Sequence, residues 1–486
     1  MTWTGKKRWV GSTGAVLIAT LAIGGLYKFG PFHHAPEVSH SAVSAAALSA
    51  PDVRVGPAPA QTVPPRMPAA ARPEEAELDA AARKQVVETL AQVLAEQYVY
   101  KERGEKMAEK IRTRLGEGAY DGMLSPIAFA NALQADLQSI ARDGHLGVRY
   151  EPAPASPAAN APAARQNAPE AAVPEVRILD GNIGYMAVNA MPPSEAARQA
   201  VAAAFALLRD TDALVIDLRG NAGGSPEMVG LIEGYLSEGP SYVTNVVHWR
   251  NDDRPEPLRT ADVGKLSYGN DKPVYVLTSP ATFSAAEQLS YDLQAFGRAV
   301  IVGQTTGGGS HTSNIGPVPL GHGFVANVPT GYLVNAITGT NWERVGVKPD
   351  VRVPAEEALE AAWSLAARNL AESAADPVTQ VWLQLFSLAK LSGDASLDAA
   401  ALAGEYKPLR GGGPAVPAIV TEKDGKLYMR MPAGSGTRDV ALLSVGGDRY
   451  EPDGYPGGFS CTFVERNGKI MLLQAMSPGR LTVSEK

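Results

Sequence analysis

Between residues 176 and 359, short apolar runs rich in β-branched residues alternate with helical stretches, and this alternation admits few folds. Runs at 183–188, 213–217, 274–277 and 299–302 are separated by helical segments at 195–208, 226–236 and 285–296. Apolar strands spaced by helices must be covered on both faces, which predicts a layered α/β core with parallel strands. Chemistry in such cores gathers at the carboxyl ends of the strands. Polar residues just after these runs are therefore the first candidates for a site.

The flanks read differently. From Glu74 to Ala141 the apolar positions Leu78, Val86, Val87, Leu90 and Leu94, then Met107, Ile111 and Leu115, then Ile127, Leu133, Leu137 and Ile140 recur at helical spacing, so three packed helices are expected over 74–150. Residues 29–73 and 151–174 are Ala/Pro-rich without apolar period and read as linkers, the first disordered. A helical connector is expected over 360–400, and 401–486 alternates strand and turn signals, as in a small all-β domain. With 486 residues, 45% of them apolar, the chain can hold about three folded units. The fold class expected is α/β, in α+β multidomain form: a helical bundle, a layered α/β core over 175–359 and a C-terminal β domain.

Charge and cysteine content exclude several function classes. The net charge is −7, and one short basic run, Lys6 to Arg8, stands at the N-terminus, so no nucleic-acid partner is expected. The single cysteine, Cys461, cannot form an internal disulfide or a thiolate metal site and reads as a small buried hydrophobe. His33, His34 and His40 lie in the linker, and neither a metal nor a cofactor is predicted. The basic run precedes an apolar stretch from Val10 to Tyr27, so 1–28 reads as a signal anchor or signal peptide. This predicts membrane association through the N-terminus and a periplasmic, inner-membrane-anchored location, or secretion if the segment is cleaved.

Four segments carry polar residues at the ends of predicted elements. Ser284 follows the run at 274–277 and opens a helix, where unpaired N–H groups and the helix dipole favour negative charge. Ser284-Ala-Ala-Glu287 is equally an ordinary capping box. The stretch Asp143-Gly-His145-Leu-Gly147 offers an imidazole flanked by glycines, to be read as a base or as a structural hydrogen bonder. Residues 215–224 run a strand into a turn with Gly220, Gly223 and Gly224, either a donor cradle for an oxyanion or a tight turn. In 341–350, Glu343 could hold a histidine in its working tautomer or be a solvated acid.

The order and context of these segments resemble the tail-specific, or C-terminal processing, serine peptidase family, over roughly Glu74 to Pro354. Members with a Ser-Lys dyad carry a lysine about 25 residues after the serine; here Gly307-Gly-Gly309 stands there, with no lysine between Lys272 and Lys348. The chain is instead similar to the branch of the tricorn core protease and the interphotoreceptor retinoid-binding protein repeats, with Asp143-Gly-His145 and Trp342-Glu343 matching that branch's motifs. Only low-complexity sequence occupies the place where many members insert a peptide-binding PDZ module.

This resemblance implies that Ser284 is the nucleophile, His145 the general base and Glu343 its supporting carboxylate. The N–H groups of Gly223 or Gly224 and of Ala285 would hold the oxyanion, while Asn221 and His311 would meet substrate, His311 standing also as a rival base to His145. Gly144 departs from the serine that precedes the catalytic histidine in the tricorn protease, which leaves open how Glu343 reaches His145. The function implied is an exported serine peptidase cutting peptide or protein substrates through a Ser-His-Glu acyl-enzyme mechanism. A non-catalytic binder of apolar ligand or peptide, or a hydrolase of other amides or esters, are the alternatives on such a fold. The sequence does not fix an oligomeric state.

Overall fold

The computed structural model describes residues 78–151, 172–409, 416–455, 458–476 and 480–486. The expected anchor at 1–28, the linker at 29–73 and most of the linker at 151–174 lie outside the described residues. Among the described residues, no helix is long and apolar enough to cross a membrane.

The predicted parallel core is a six-stranded sheet. Its order is Val351–Arg352, Val300–Gly303, Val274–Thr278, Ala213–Asp217, Ile183–Ala187 and Glu175–Leu179, all parallel except the last, which is antiparallel to its neighbour. The three strands Ile183–Ala187, Ala213–Asp217 and Val274–Thr278 are buried at every residue, which is why they read as continuous apolar runs rather than as alternation. Helices Glu195–Leu208, Pro226–Tyr235 and Ala285–Ala295 cover one face through Val201, Phe205, Met228, Ile232 and Leu289.

The other face is covered by Ala358–Ser373 and Pro377–Phe386, within the region expected to be a connector. Ala358, Ala362, Ala366, Trp363, Trp382 and Phe386 pack in one cluster with Ile183, Tyr185, Val215 and Tyr275 of the sheet. These helices are thus a layer of the core. The Ala-rich first helix lets its backbone approach the sheet closely, and the same small residues gave it a weak apolar signal in the sequence.

Three N-terminal helices, Ala80–Gln97, Lys101–Gly116 and Pro126–Ala141, form the expected bundle around Val86, Leu90, Leu94, Met107, Ile111, Leu133 and Leu137. The bundle does not stand apart. Just after its third helix, strand Gly147–Tyr150 pairs antiparallel with Phe324–Asn327, so the chain on either side of His145 is fixed at both ends. A four-stranded sheet, ordered Asp252–Arg259, Val243–Trp249, Gly331–Asn335 and His311–Thr312, lies outside the parallel core. The tail from Gly404–Pro408 to Arg480–Glu485 is a closed barrel of eight strands whose interior is filled by Tyr406, Leu427, Met429, Cys461, Phe463 and Leu472.

Candidate active site

Strand Val274–Thr278 ends beside Ala213–Asp217, and the turns that follow them are sewn together. Thr282 Oγ1 donates to Leu218 O at 2.8 Å, Ser279 Oγ to Arg219 O at 2.6 Å and Phe283 N–H to Asn221 O at 3.0 Å. Ser284 then opens the helix Ala285–Ala295 with φ 56° and ψ −122°. A non-glycine residue in this region is strained by about 1–3 kcal/mol, and a nucleophile held on a sharp strand-to-helix turn is one setting where such strain persists. The Ser284 N–H donates to Glu287 Oε2 at 3.0 Å. The hydroxyl lies 2.9 Å from His145 Nε2.

Glu287 does more than cap. It is buried, and besides the Ser284 N–H its carboxylate accepts from Gly308 N at 2.6 Å, Gly309 N at 2.7 Å and the Thr306 hydroxyl. Burial pushes its carboxyl up from the usual range, while these four donors pull it down. The glycine run 307–309 is thereby clamped to the nucleophile turn. The sequence showed this residue only as the third position of a capping box.

The two glycines expected at the oxyanion position are required by contact. A Cβ on Gly223, at φ 107°, would stand 2.7 Å from Ser284 Cβ and 3.0 Å from Ala285 N; one on Gly224, at φ 145°, would stand 2.2 Å from Met191 O. Gly223 therefore lies against the nucleophile and the Ala285 amide. Its own N–H donates to Asn221 Oδ1 at 2.7 Å. Asn221, expected to meet substrate, is instead fully buried, with its Nδ2 donating to Val188 O at 2.8 Å. Its side chain shapes the turn from inside because both ends of the amide satisfy backbone groups that the turn would leave unpaired.

His145 is positioned by its neighbours on three sides. Asp143 Oδ1 accepts its backbone N–H at 2.9 Å, and Phe283 stacks on its ring with centroids 4.6 Å apart. A Cβ on Gly144 would meet Phe283 Cζ at 2.7 Å, and one on Gly309 would meet Phe283 Cζ at 2.3 Å and His145 Cε1 at 2.8 Å. Any larger residue at 144 therefore collides with the ring that supports the imidazole. Burial, reinforced by the nearby His311 and opposed by Asp143, lowers the His145 pKa to about 4. The imidazole is neutral near pH 7 and able to take a proton.

Glu343 and His311 meet each other rather than serving separate ends of the site. His311 Nδ1 is 2.7 Å from Asp143 Oδ2, which also accepts the Tyr98 hydroxyl at 3.0 Å. Glu343 Oε1 lies 3.7 Å from His311 Nδ1, and its Oε2 accepts Ser310 N–H at 2.8 Å. His311 is buried, in place of the substrate-loop position expected for it, because strand His311–Thr312 pairs with Gly331–Asn335 and carries the ring under Asp143. His145 Nδ1 and Glu343 Oε1 are both buried without a hydrogen-bond partner among the described residues, so Glu343 does not contact His145 in this state. Burial raises the Glu343 carboxyl, against the pull of His311 and the Ser310 N–H. Hydrogen bonds and charge from His311, with the His145 N–H, outweigh burial and hold the Asp143 carboxyl low.

Donor atoms of Asp143, His311 and Glu343 lie within 4.8 Å of one another and are the residues that could hold a cation. Asp143 and His311 already satisfy one another, which makes a polar relay the simpler use of the trio. Of the eight residues singled out in the sequence, the structure brings Ser284, His145, Gly223 and Ala285 to one point, sets Gly224 next in the turn against Met191 and Glu343 and His311 one step behind His145, and holds Asn221 inside the turn. Asp143, Glu287 and Phe283 are the positions that the motifs contained but did not single out.

Residues 182–353 match the model of peptidase family S41, and residues 78–180 match the N-terminal domain of the S41 peptidase in eukaryotic interphotoreceptor retinoid-binding protein. The α/β core is thus similar to S41 peptidases, and the helical region before it to an N-terminal domain found with them. The carboxy-terminal processing protease CtpB of Bacillus subtilis is 25% identical over 181 residues, 37% of this chain and 35% of that protein. Carboxyl-terminal-processing peptidase 2 of Arabidopsis thaliana chloroplasts is 29% identical over 175 residues, 35% of this chain and 32% of its own. The chain spans about a third of the length of these curated relatives. The solved photosystem II D1 C-terminal processing protease overlays with a TM-score of 0.38 at 17% identity, covering 56% of this chain and 93% of that one.

Proposed function

We propose that this chain, with its S41 peptidase region, is a serine-type peptidase that cuts peptide bonds in proteins or peptides through an acyl-enzyme. The observation that carries the reading is the pair formed by the Ser284 hydroxyl and His145 Nε2 at 2.9 Å, with the imidazole neutral and the hydroxyl on a strained turn at a helix N-terminus. Ser284 Oγ attacks the scissile carbonyl carbon as His145 Nε2 takes the hydroxyl proton. The resulting oxyanion is stabilised by the Ala285 N–H, which as the first residue of the helix has no intrahelical acceptor, together with the Gly224 N–H, since the Gly223 N–H is already donated to Asn221 Oδ1. Each such donor contributes about 3 kcal/mol. His145 then gives its proton to the leaving amine, and water frees the acyl group by the same two proton transfers in turn.

Glu343 completes the set in this reading. Its Oε1 is an unpaired buried acceptor and His145 Nδ1–H an unpaired buried donor, and joining them when substrate is bound would fix the tautomer and steady the imidazolium. The charged lining of the cleft that Glu343 borders suits a peptide better than an apolar ligand. The basic run at Lys6 to Arg8 followed by apolar sequence to Tyr27 supports an exported protein anchored at its N-terminus, to be checked by fractionation and protease accessibility in intact and permeabilised cells.

The test is covalent labelling of the full chain by a fluorophosphonate, with casein hydrolysis measured beside it. Wild type should label and cleave, Ser284→Ala should do neither, and His145→Ala should lose about 10²–10⁴ in rate. Labelling that survives Ser284→Ala, or casein hydrolysis equal in both variants and wild type, would overturn the assignment.

A further inference from the structure

A cleft of about 710 Å³ opens beside the proposed site, with Glu343 in its wall and Tyr100, Arg103, Trp249, Arg250 and Arg344 around it. From it we infer that the cleft is a subsite for acidic side chains of a peptide substrate, bound by Arg103, Arg250 and Arg344. The inference rests on the peptidase reading for its role in catalysis but not for its binding chemistry.

None of the three guanidinium groups forms an ion pair or a hydrogen bond with a carboxylate among the described residues. Other arginines of the structure do find one, as Arg219 does with Asp217, Arg254 with Asp252 and Arg449 with Asp180. Arg250 Nε is buried and unpartnered, a donor withdrawn from water with nothing to receive it. Three fixed cations in one concavity are unfavourable alone and become favourable when a carboxylate enters, because a guanidinium fork matches a carboxylate in two parallel hydrogen bonds.

The backbone presents these groups firmly. Arg250 follows strand Val243–Trp249, and its N–H donates to Thr330 O at 2.7 Å. Arg344 sits at φ 63° with its N–H donating to Gly308 O at 2.8 Å, so it is carried by the same glycine run that Glu287 clamps and that borders His145. Arg103 lies 5.1 Å over the ring of Tyr100, which in turn packs edge-on against His311 at 5.4 Å and stacks with Tyr332 at 5.9 Å. The cleft and the relay behind His145 therefore share a wall.

The remaining charges in the lining leave the surplus positive. Lys101 is 4.0 Å from Glu105, and Glu102 is exposed. Glu343 is held by Ser310 N–H and faces His311. The rings of Tyr100 and Trp249 offer flat apolar surface for the methylenes of a glutamate. A chain running through this cleft would carry its acidic residue some distance from the bond being cut, where binding energy raises specificity without entering the chemistry.

The experiment uses the full chain carrying Ser284→Ala, so that bound peptide is not cut. Fluorescein-labelled, C-terminally amidated alanine-rich peptides with two glutamates or two glutamines are titrated by anisotropy at low salt. The glutamate peptide should bind about tenfold or more tightly, with the advantage shrinking as salt screens it. Arg103→Gln, Arg250→Gln and Arg344→Gln should each remove most of that advantage while glutamine-peptide binding stays unchanged, and Arg344→Gln, at an exposed position, serves as the variant least able to disturb folding. Equal binding of the two peptides, or binding only when the peptide terminus is a free carboxylate, would overturn the proposal. Glutamate preference together with fluorophosphonate labelling that survives Ser284→Ala would leave the subsite standing and sink the peptidase reading instead.

Discussion

At the scale of single residues, the pH dependence of the nucleophile pair is set by burial of His145. Burial disfavours the imidazolium, so the ring stays neutral until the pH approaches about 4, well below the value near 6.5 of an exposed histidine. His145 acts as a base only when neutral. The rate of fluorophosphonate labelling of Ser284 should therefore stay level from pH 8 down to about 5 and fall as the pH passes through about 4; a fall centred between 6 and 7 would show an imidazole less buried than the structure has it. A second expectation concerns Gly309. A methyl group there would lie within 2.8 Å of His145 Cε1 and 2.3 Å of Phe283 Cζ. Gly309→Ala should cut the labelling rate by about 10²-fold, the scale of loss from a misplaced catalytic group, while the circular dichroism spectrum is retained. Ser284 and His145 were legible because each sits in a short motif whose glycines and helix start are local features. The Asp143 to His311 contact joins positions 168 residues apart, and no local signal could announce it. Gly144, an unexplained departure in the sequence, became intelligible only once Phe283 was seen to occupy the space a side chain would need.

At the scale of elements, helices Pro226–Tyr235 and Ala285–Ala295 were readable from their apolar spacing, but not the acids they bring inside. Glu233 and Asp292 are buried together, and Asp292 accepts from Asn335 Nδ2 at 2.8 Å and Asn245 Nδ2 at 2.5 Å. Burial is the main cause that moves both carboxyls up, Asp292 to about 6 and Glu233 well above its ordinary value, with Asp292 adding repulsion to Glu233. The folded state thus binds protons that the unfolded chain has released. Its stabilising contribution is complete below the unfolded value near 3.8 and is lost as the pH rises through about 6, at about 1.4 kcal/mol for each unit of displacement. Glu233→Gln keeps the shape and supplies a donor to Asp292 at every pH. It should raise the melting temperature at pH 8 relative to wild type, with the gain shrinking toward pH 5. A gain independent of pH, or a loss at pH 8, would mean that the two acids do not share a proton. In sequence these positions carry only the message of a helix, since a buried acid and an exposed one are the same letter.

At the scale of the whole molecule, the described residues from Ala358 onward tie the barrel to the α/β core. One hydrophobic cluster contains Ile183, Val215 and Tyr275 of the sheet, Trp363, Trp382 and Phe386 of the covering helices, and Val464, Met471, Leu473 and Val483 of the barrel. Arg449 of the barrel pairs with Asp180 Oδ2 at 2.7 Å and lies 4.5 Å over the ring of Trp363. A tail read from its strand and turn signals as a separate small domain is, through these contacts, continuous with the layer beneath the sheet. That continuity has a measurable consequence. Trp382 is fully buried and stacks on Phe386 at 4.7 Å, so Trp382→Ala should cost about 3–5 kcal/mol, as large-to-small changes in a packed core do. The loss should be felt by both parts at once. The tryptophans of the described residues, Trp249, Trp342, Trp363 and Trp382, all precede the barrel, so their fluorescence reports on the core, whereas far-ultraviolet circular dichroism also reports on the eight barrel strands. Urea transitions followed by the two signals should coincide in wild type and shift together in the variant. If the dichroism instead resolved a separate transition that left the fluorescence untouched, the barrel would be an independent unit resting against the core, and the shared cluster would contribute little to holding the two together.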